Sequence, residues 1–402
     1  MSPDRGANDV QSVLATCERI IQLKIPNLLR LYLNPFVTQT CVALNEIVHE
    51  TWPATNHHGD YPSFLANSGE EALSGAIKLA RYTLNRRAAG TSAQSSRVFL
   101  IDDENCLENF ASATVQNDSG ADERIEFIPD VVRLSSTTLA VYASETAGPF
   151  CRTGLRSLVR PAINKGVLDS KSATYSGYPT QPGSAASKGP ARQAEPAEES
   201  MAESACIIVI GPGLSATPSS ALITAVRQRQ GNSCIVIAWA TENRSSLVTE
   251  DSTGLAPDIV VFDESFTEHA VPFGAFAARA DIYSQWTRRG MATFHSTTYQ
   301  PNTISTMHFL KCLEQKSPEF FDRIQPMLKP LQTDRQLLNK QFREFYNPSL
   351  GRLICGTGFD AEEVAAASHY VRVGIRSYFD GIGGVACSLR GHNPGSWVSE
   401  IN

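Results

Sequence analysis

Phe64-Leu-Ala-Asn-Ser-Gly-Glu-Glu-Ala-Leu-Ser-Gly-Ala-Ile-Lys-Leu-Ala-Arg81 is the stretch that decides the fold. Asn67-Ser68-Gly69-Glu70-Glu71 opens a helix, with Ala72, Ala76, Leu79 and Ala80 on one face. Ser68 and Glu71 have the spacing of a capping box, in which each side chain satisfies a free N–H of the first turn. Outward from this helix, short apolar runs read as buried strands: Arg97–Ile101, Leu139–Tyr142, Ile207–Ile210, Ile235–Ile237 and Ile259–Phe262. Helical stretches separate several of them. That alternation predicts an α/β fold with a mostly parallel central sheet covered by helices on both faces.

Residues 9–50 read as helical, with Val13, Leu14, Ile20, Ile21 and Leu28 at mixed three- and four-residue spacing. Residues 165–204 are rich in Ser, Ala, Pro, Gly, Lys and Glu, the composition of a flexible insertion. Ser317–Phe345 reads as a polar helix pair, with Ser317-Pro318 as its N-cap and first-turn proline. The expected organisation is a helical segment 1–50, a large α/β domain 51–310 interrupted by 165–204, and a smaller α+β lobe 311–402 that includes segment 373–402.

The 402 residues suffice for a subunit of two lobes. With 42% hydrophobic and 19% charged residues the composition is that of an ordinary globular protein, not a disordered one. The net charge of −6 comes without a basic stripe, which argues against a nucleic-acid partner. Nine cysteines lack C-x-x-C spacing, so neither a metal site nor a redox motif is indicated. They are expected to be reduced, mostly buried thiols of a cytoplasmic protein. No signal-like apolar segment opens the chain, and no run approaches the roughly 20 apolar residues that span a membrane.

Four segments together resemble the class III aminotransferases, a fold-type I family that uses pyridoxal phosphate (PLP). Phe64–Ala72 with Ala76–Arg81 is similar to the family's "NSGTEA…ALKLAR", whose helix start receives the cofactor phosphate. Pro257-Asp-Ile-Val260 with Val271-Pro-Phe-Gly-Ala275 is similar to "PDIV…K…PIGA", which carries the lysine that holds PLP. His295-Ser-Thr-Thr-Tyr-Gln-Pro-Asn302 resembles "HGSTFGGNP", whose threonine reaches the neighbouring subunit's phosphate. Tyr378-Phe-Asp-Gly-Ile-Gly-Gly384, Arg390–Pro394 and Trp397–Ile401 resemble "YLDF.GG…LGHNHP.VVEAI". In the family this last segment precedes the first, so the resemblance implies a circular permutation, the alternative being that the chain is a segment of a longer protein. It also implies a homodimer.

The residues that would hold PLP are changed. Counted from Pro257 the lysine position falls on Glu264, and counted back from Pro272 on Ser265; no lysine lies between Lys188 and Lys311. PLP chemistry needs that amine. Lys78 occupies an ordinary position on the phosphate-site helix. The carboxylate expected at the pyridine nitrogen reads Trp239, an N–H donor that cannot keep that nitrogen protonated. Glu70 replaces the threonine after Ser-Gly, adding negative charge where phosphate would bind. The family's "YHG" corresponds roughly to Asn105-Cys106-Leu107 and its "EP" to Gly211-Pro212. PLP binding is therefore expected to be lost, with no other cofactor implied.

What survives could still form a pocket. Glu264, Glu268 and His269 are the catalytic candidates, with Glu264 foremost as a general acid–base in a dehydrated cavity beside Trp239. Asn67, Ser68, Glu70, Cys106, Trp239, His295, Thr297 and Thr298 are the candidate substrate-binding residues, the last three contributed across a dimer interface. The plain alternatives are a solvated loop carboxylate at Glu264, a surface histidine at His269, turn-forming roles for His295 and His392, and a buried inert thiol at Cys106. The leading expectation is a PLP-independent enzyme performing cyclisation, dehydration, isomerisation or condensation on a small metabolite such as a polyketide-type intermediate. The alternatives are a non-catalytic protein that binds a partner or ligand, and a PLP or PMP enzyme lacking the usual lysine.

Overall fold

The computed structural model describes residues 3–27, 33–87, 96–107, 110, 112–116, 122–126, 131–134, 205–212, 234–242, 256–287, 299–346, 364–373, 375–381 and 391–394. The strand expected at 139–142 and the insertion 165–204 lie outside them.

The helical stretch expected over 9–50 is two helices. α1 (Pro3–Leu23) stops where Lys24 takes a left-handed φ of 54°. α2 (Pro35–Thr51) starts at Asn34, whose side chain accepts from the Phe36 and Val37 N–H groups, with Pro35 in the first turn. Asn34 Nδ2 also donates to Thr303 Oγ1 at 2.7 Å, tying this helix start to a distant one.

Seven strands form the central sheet: β1 (Ser63–Ala66), β2 (Arg97–Ile101), β5 (Val131–Leu134), β6 (Cys206–Ile210), β7 (Cys234–Ala240), β8 (Ile259–Phe262) and β9 (Gly274–Ala278). Their order is β1-β9-β8-β7-β6-β2-β5. Only β9 runs against the rest, pairing antiparallel with both β1 and β8. The sheet is thus mostly parallel, as the alternation of strands and helices predicts. β3 (Ser112–Gln116) and β4 (Asp122–Glu126) form a separate hairpin.

Side chains of successive strand residues point to opposite faces, and here each face has its own apolar cluster. Ile207, Val209, Ile235, Ile237 and Trp239 pack toward α3 (Gly69–Arg87) and α4 (Ala280–Thr287). Ile208, Ile210, Val236, Ala238 and Ala240 pack toward α2, α5 (Thr303–Lys316), α6 (Pro318–Leu328) and α7 (Arg335–Phe345). Continuous burial of β6 to β9 is what a sheet covered on both sides requires.

The expected polar pair at 317–345 is α6 and α7. Each is amphipathic rather than polar throughout: Phe320, Ile324, Leu328, Leu338, Phe342 and Phe345 are buried against the sheet cluster. The boundary expected at 310 falls inside α5, and α5 to α7 share their apolar cluster with β8 and β9. A second, three-stranded antiparallel sheet comprises β10 (Val364–Ala367), β11 (Tyr370–Val373) and β12 (Arg376–Phe379). His392 bridges to Ser368 and bonds Asp380 at 2.8 Å, while Asn393 Nδ2 donates to both Ile25 O and Ala366 O.

β9 meets the start of α3 so closely that a Cβ at Gly274 would lie 2.1 Å from Ser68 O. Because that neighbour is backbone, it cannot rotate away. Gly274→Ala is expected to cost about 1–3 kcal/mol, seen as a lower denaturation midpoint with an unchanged m value.

Candidate active site

All strands but β9 end at one edge of the sheet, where open α/β sheets place their crevice. Asp102 follows β2, Gly211 follows β6, Trp239 sits near the end of β7, and Asp263 and Glu264 follow β8. The loop after β1 delivers Asn67 and Ser68 to the same edge and opens α3.

At the start of α3 the Gly69 and Glu71 N–H groups find acceptors within the chain. Ser68 Oγ accepts from Glu71 N–H at 3.1 Å, the forward half of the expected capping box. The return half is displaced by one residue: Glu71 Oε2 accepts from Asn67 N at 2.8 Å and from Asn67 Nδ2 at 2.9 Å. The first helical N–H, that of the buried Gly69, donates to Glu264 Oε2 at 3.3 Å. That distance is at the long end for an N–H···O bond, and a carboxylate there faces the positive end of the helix. Glu70 is exposed. Three carboxylates, Glu70, Glu71 and Glu264, therefore belong to or reach this helix terminus.

Glu264 sits in a short 3-10 turn, Glu264–Thr267, fixed by its neighbours. Asp263 caps the turn, its Oδ1 accepting from Ser265 N–H at 3.0 Å and from Ser265 Oγ. Its other oxygen accepts from Trp239 Nε1 at 2.7 Å. Ser265 Oγ in turn accepts from Glu242 N–H at 2.9 Å, linking the ends of β7 and β8. The Trp239 indole, 5% exposed, lies against Gly69: a Cβ there would come within 2.4 Å of the indole and 2.6 Å of Asp263 Cβ. The dehydrated pocket expected around Glu264 is thus occupied by Trp239 and Asp263, and Glu264 itself is half-buried at a helix cap.

The other two catalytic candidates do not converge on Glu264. Glu268 Oε1 pairs with Lys316 Nζ on α5 at 2.7 Å. His269 is exposed; its backbone N–H returns to Glu264 O at 2.9 Å, a turn contact. Cys106 is exposed, which corrects its reading as a buried thiol. What little burial it has, and the nearby Asp102 and Glu104, push its thiol above the ordinary value, away from a nucleophilic thiolate. Asp102 binds the backbone of this loop, accepting from Cys106 N at 3.0 Å and Leu107 N at 2.7 Å. Lys78 is exposed on α3. His295, Thr297 and Thr298 lie outside the described residues. Among the described residues no group of three or more His, Cys, Asp or Glu side chains could hold a metal ion. None of the described helices is long and apolar enough to cross a membrane.

The sequence reading missed Asp263 and gave Ser265 only as an alternative lysine position. An aspartate two residues before a serine at a strand end is a turn-capping signal, and it was available. Asp258 was read only as part of a motif. It is buried, accepts from Val236 N at 2.9 Å and pairs with Arg279 at 2.9 Å. Burial raises its carboxyl despite that partner, so it is a strut between β7 and the end of β9.

No family model matches the chain, and no curated protein matches it. Solved structures do. An (S)-enantioselective omega-transaminase from Thermomicrobium roseum is 15% identical with a TM-score of 0.45, covering 76% of this chain and 61% of that one. A transaminase from the marine bacterium Virgibacillus is 12% identical with a TM-score of 0.46, covering 78% and 61%. An ornithine aminotransferase from Toxoplasma gondii is 16% identical with a TM-score of 0.44, covering 90% and 69%. The chain spans about three fifths of the length of the first two. These likenesses concern the chain trace; the chemistry of the site rests on its own residues.

Gly69→Ala is expected to destabilise the protein by driving its new methyl into Trp239 and Asp263. Trp239→Leu should relieve part of that clash. A double-mutant cycle by chemical denaturation is expected to give a favourable coupling of about 0.5–3 kcal/mol between the two changes.

Proposed function

We propose that the chain is an aminotransferase-like protein that works without PLP and without acid–base catalysis, acting instead by binding. One observation carries the reading: the carboxylate of Glu264, one of the two positions (with Ser265) to which the family lysine counts, is bonded to the first N–H of the helix expected to receive phosphate.

The residues present do not fit PLP. A phosphate at the start of α3 would meet Glu70, Glu71 and Glu264 at a helix end whose Gly69 and Glu71 N–H groups already have acceptors. The Glu264 carboxylate on the Gly69 N–H stands where a phosphate oxygen would bind and repels it, with Glu70 and Glu71 adding like charge. Trp239 covers Gly69 and gives its N–H to Asp263, so it offers the pyridine nitrogen no carboxylate. Acid–base catalysis by the expected trio is disfavoured because Glu264 and Glu268 are engaged with separate partners and His269 is exposed.

A homodimer, though not one built on the expected contribution of His295, Thr297 and Thr298, finds support in β12, exposed at all four residues and at the edge of its sheet among the described residues. Tyr370 and Phe379 face each other across β11 and β12, 54% and 67% exposed, and Ile375 is fully exposed. Two copies of an unpaired edge can join antiparallel about a two-fold axis. Light scattering is expected to show a dimer for the wild-type chain and a monomer for the Tyr370→Ser/Phe379→Ser double variant.

Titration with PLP tests the cofactor claim. The wild-type protein is expected to show no visible absorbance of protein-bound PLP and no rise in Tm with PLP concentration. A bound chromophore together with a concentration-dependent Tm would overturn the reading.

A further inference from the structure

We infer that the Asp263–Glu264 turn is a built-in substitute for a bound anion: the Glu264 carboxylate stabilises the buried start of α3 in the way a ligand's phosphate would. This rests on the proposed independence from PLP and adds what takes the cofactor's place.

The helix end needs a negative group. α3 is 19 residues long, and its first N–H, on the buried Gly69, has no intrahelical partner. Such a donor left unpaired away from water is costly, and the aligned peptide dipoles make this end positive. Trp239 packs over Gly69 and leaves little room for water on that side.

The carboxylate is also held there. Asp263 is anchored by Trp239 Nε1 and by the Ser265 N–H. Thr267 Oγ1 donates to Glu264 O and lies within bonding distance of Val271 O. Glu268 and His269 then take consecutive left-handed conformations, φ 56° and 60°, which return the chain so that His269 N–H meets Glu264 O. Two non-glycine residues in that region are strained and persist only where the surroundings fix them. Here the Glu268–Lys316 pair and the bonds within the turn do so. The turn thus spends local strain on aiming one carboxylate at one helix terminus.

Thermal unfolding of the full chain tests this, with Glu70→Ala as a control that removes an exposed carboxylate from the same helix turn. Glu264→Ala is expected to lower Tm by about 1–2 °C, and Glu70→Ala, which removes an exposed first-turn carboxylate bonded to no helix N–H, by less. Inorganic phosphate, added at constant ionic strength against chloride, is expected to recover part of the loss in Glu264→Ala and to leave the wild type unmoved. A Glu264→Ala Tm equal to that of the wild type, with no differential response to phosphate, overturns the inference. If the alanine variant does not fold, Glu264→Gln carries the test: a lowered, phosphate-responsive Tm supports the inference, and a wild-type Tm without response overturns it. These readouts use no PLP, so they can fail while PLP titration still supports the functional reading, and the reverse.

Discussion

A helix that starts inside a protein must have its first N–H groups answered, and at the start of α3 the chain answers them itself. Ser68, Glu71 and Glu264 take up the terminus that an anionic ligand would otherwise share. The surrounding architecture depends on this closure. Gly274 lets β9 approach Ser68, Gly69 lets the Trp239 indole approach the helix start, and Asp263 accepts the indole N–H. Each contact is modest alone, of the order of 1 kcal/mol. Together they pack the start of α3 against the ends of β7 and β8.

On the proposed reading, the changes at the expected cofactor positions act together. Placing Trp239 on Gly69 occupies space, and placing Glu264 at the helix end adds charge; both act against the same phosphate and ring. Restoring a lysine at Glu264 alone would remove one carboxylate but leave the indole, Asp263, Glu70 and Glu71 where they are.

The fold was legible because its signals are local. Burial on both faces gives continuous apolar strands, and the Ser68-x-x-Glu71 cap marks a helix start. The amphipathic burial of α6 and α7 was less so, since their large side chains are spaced among many charges. At the site, the identity of the substituted residues was readable, but their partners were not. That Glu264 reaches Gly69, 195 residues earlier, and that Glu268 turns to Lys316 are consequences of tertiary contact and of two left-handed residues that sequence does not mark. The sequence placed Glu264, Glu268 and His269 in one cluster because they are neighbours in the chain. The turn sends their side chains to different partners.

The most direct measurement is crystallographic: density at the start of α3 after crystals are soaked in PLP. The account predicts the Glu264 carboxylate on the Gly69 N–H, the Trp239 indole over that glycine, and no phosphate density. Density for a phosphate on the Gly69 and Glu71 N–H groups, with Glu264 swung out and Trp239 displaced, would contradict it.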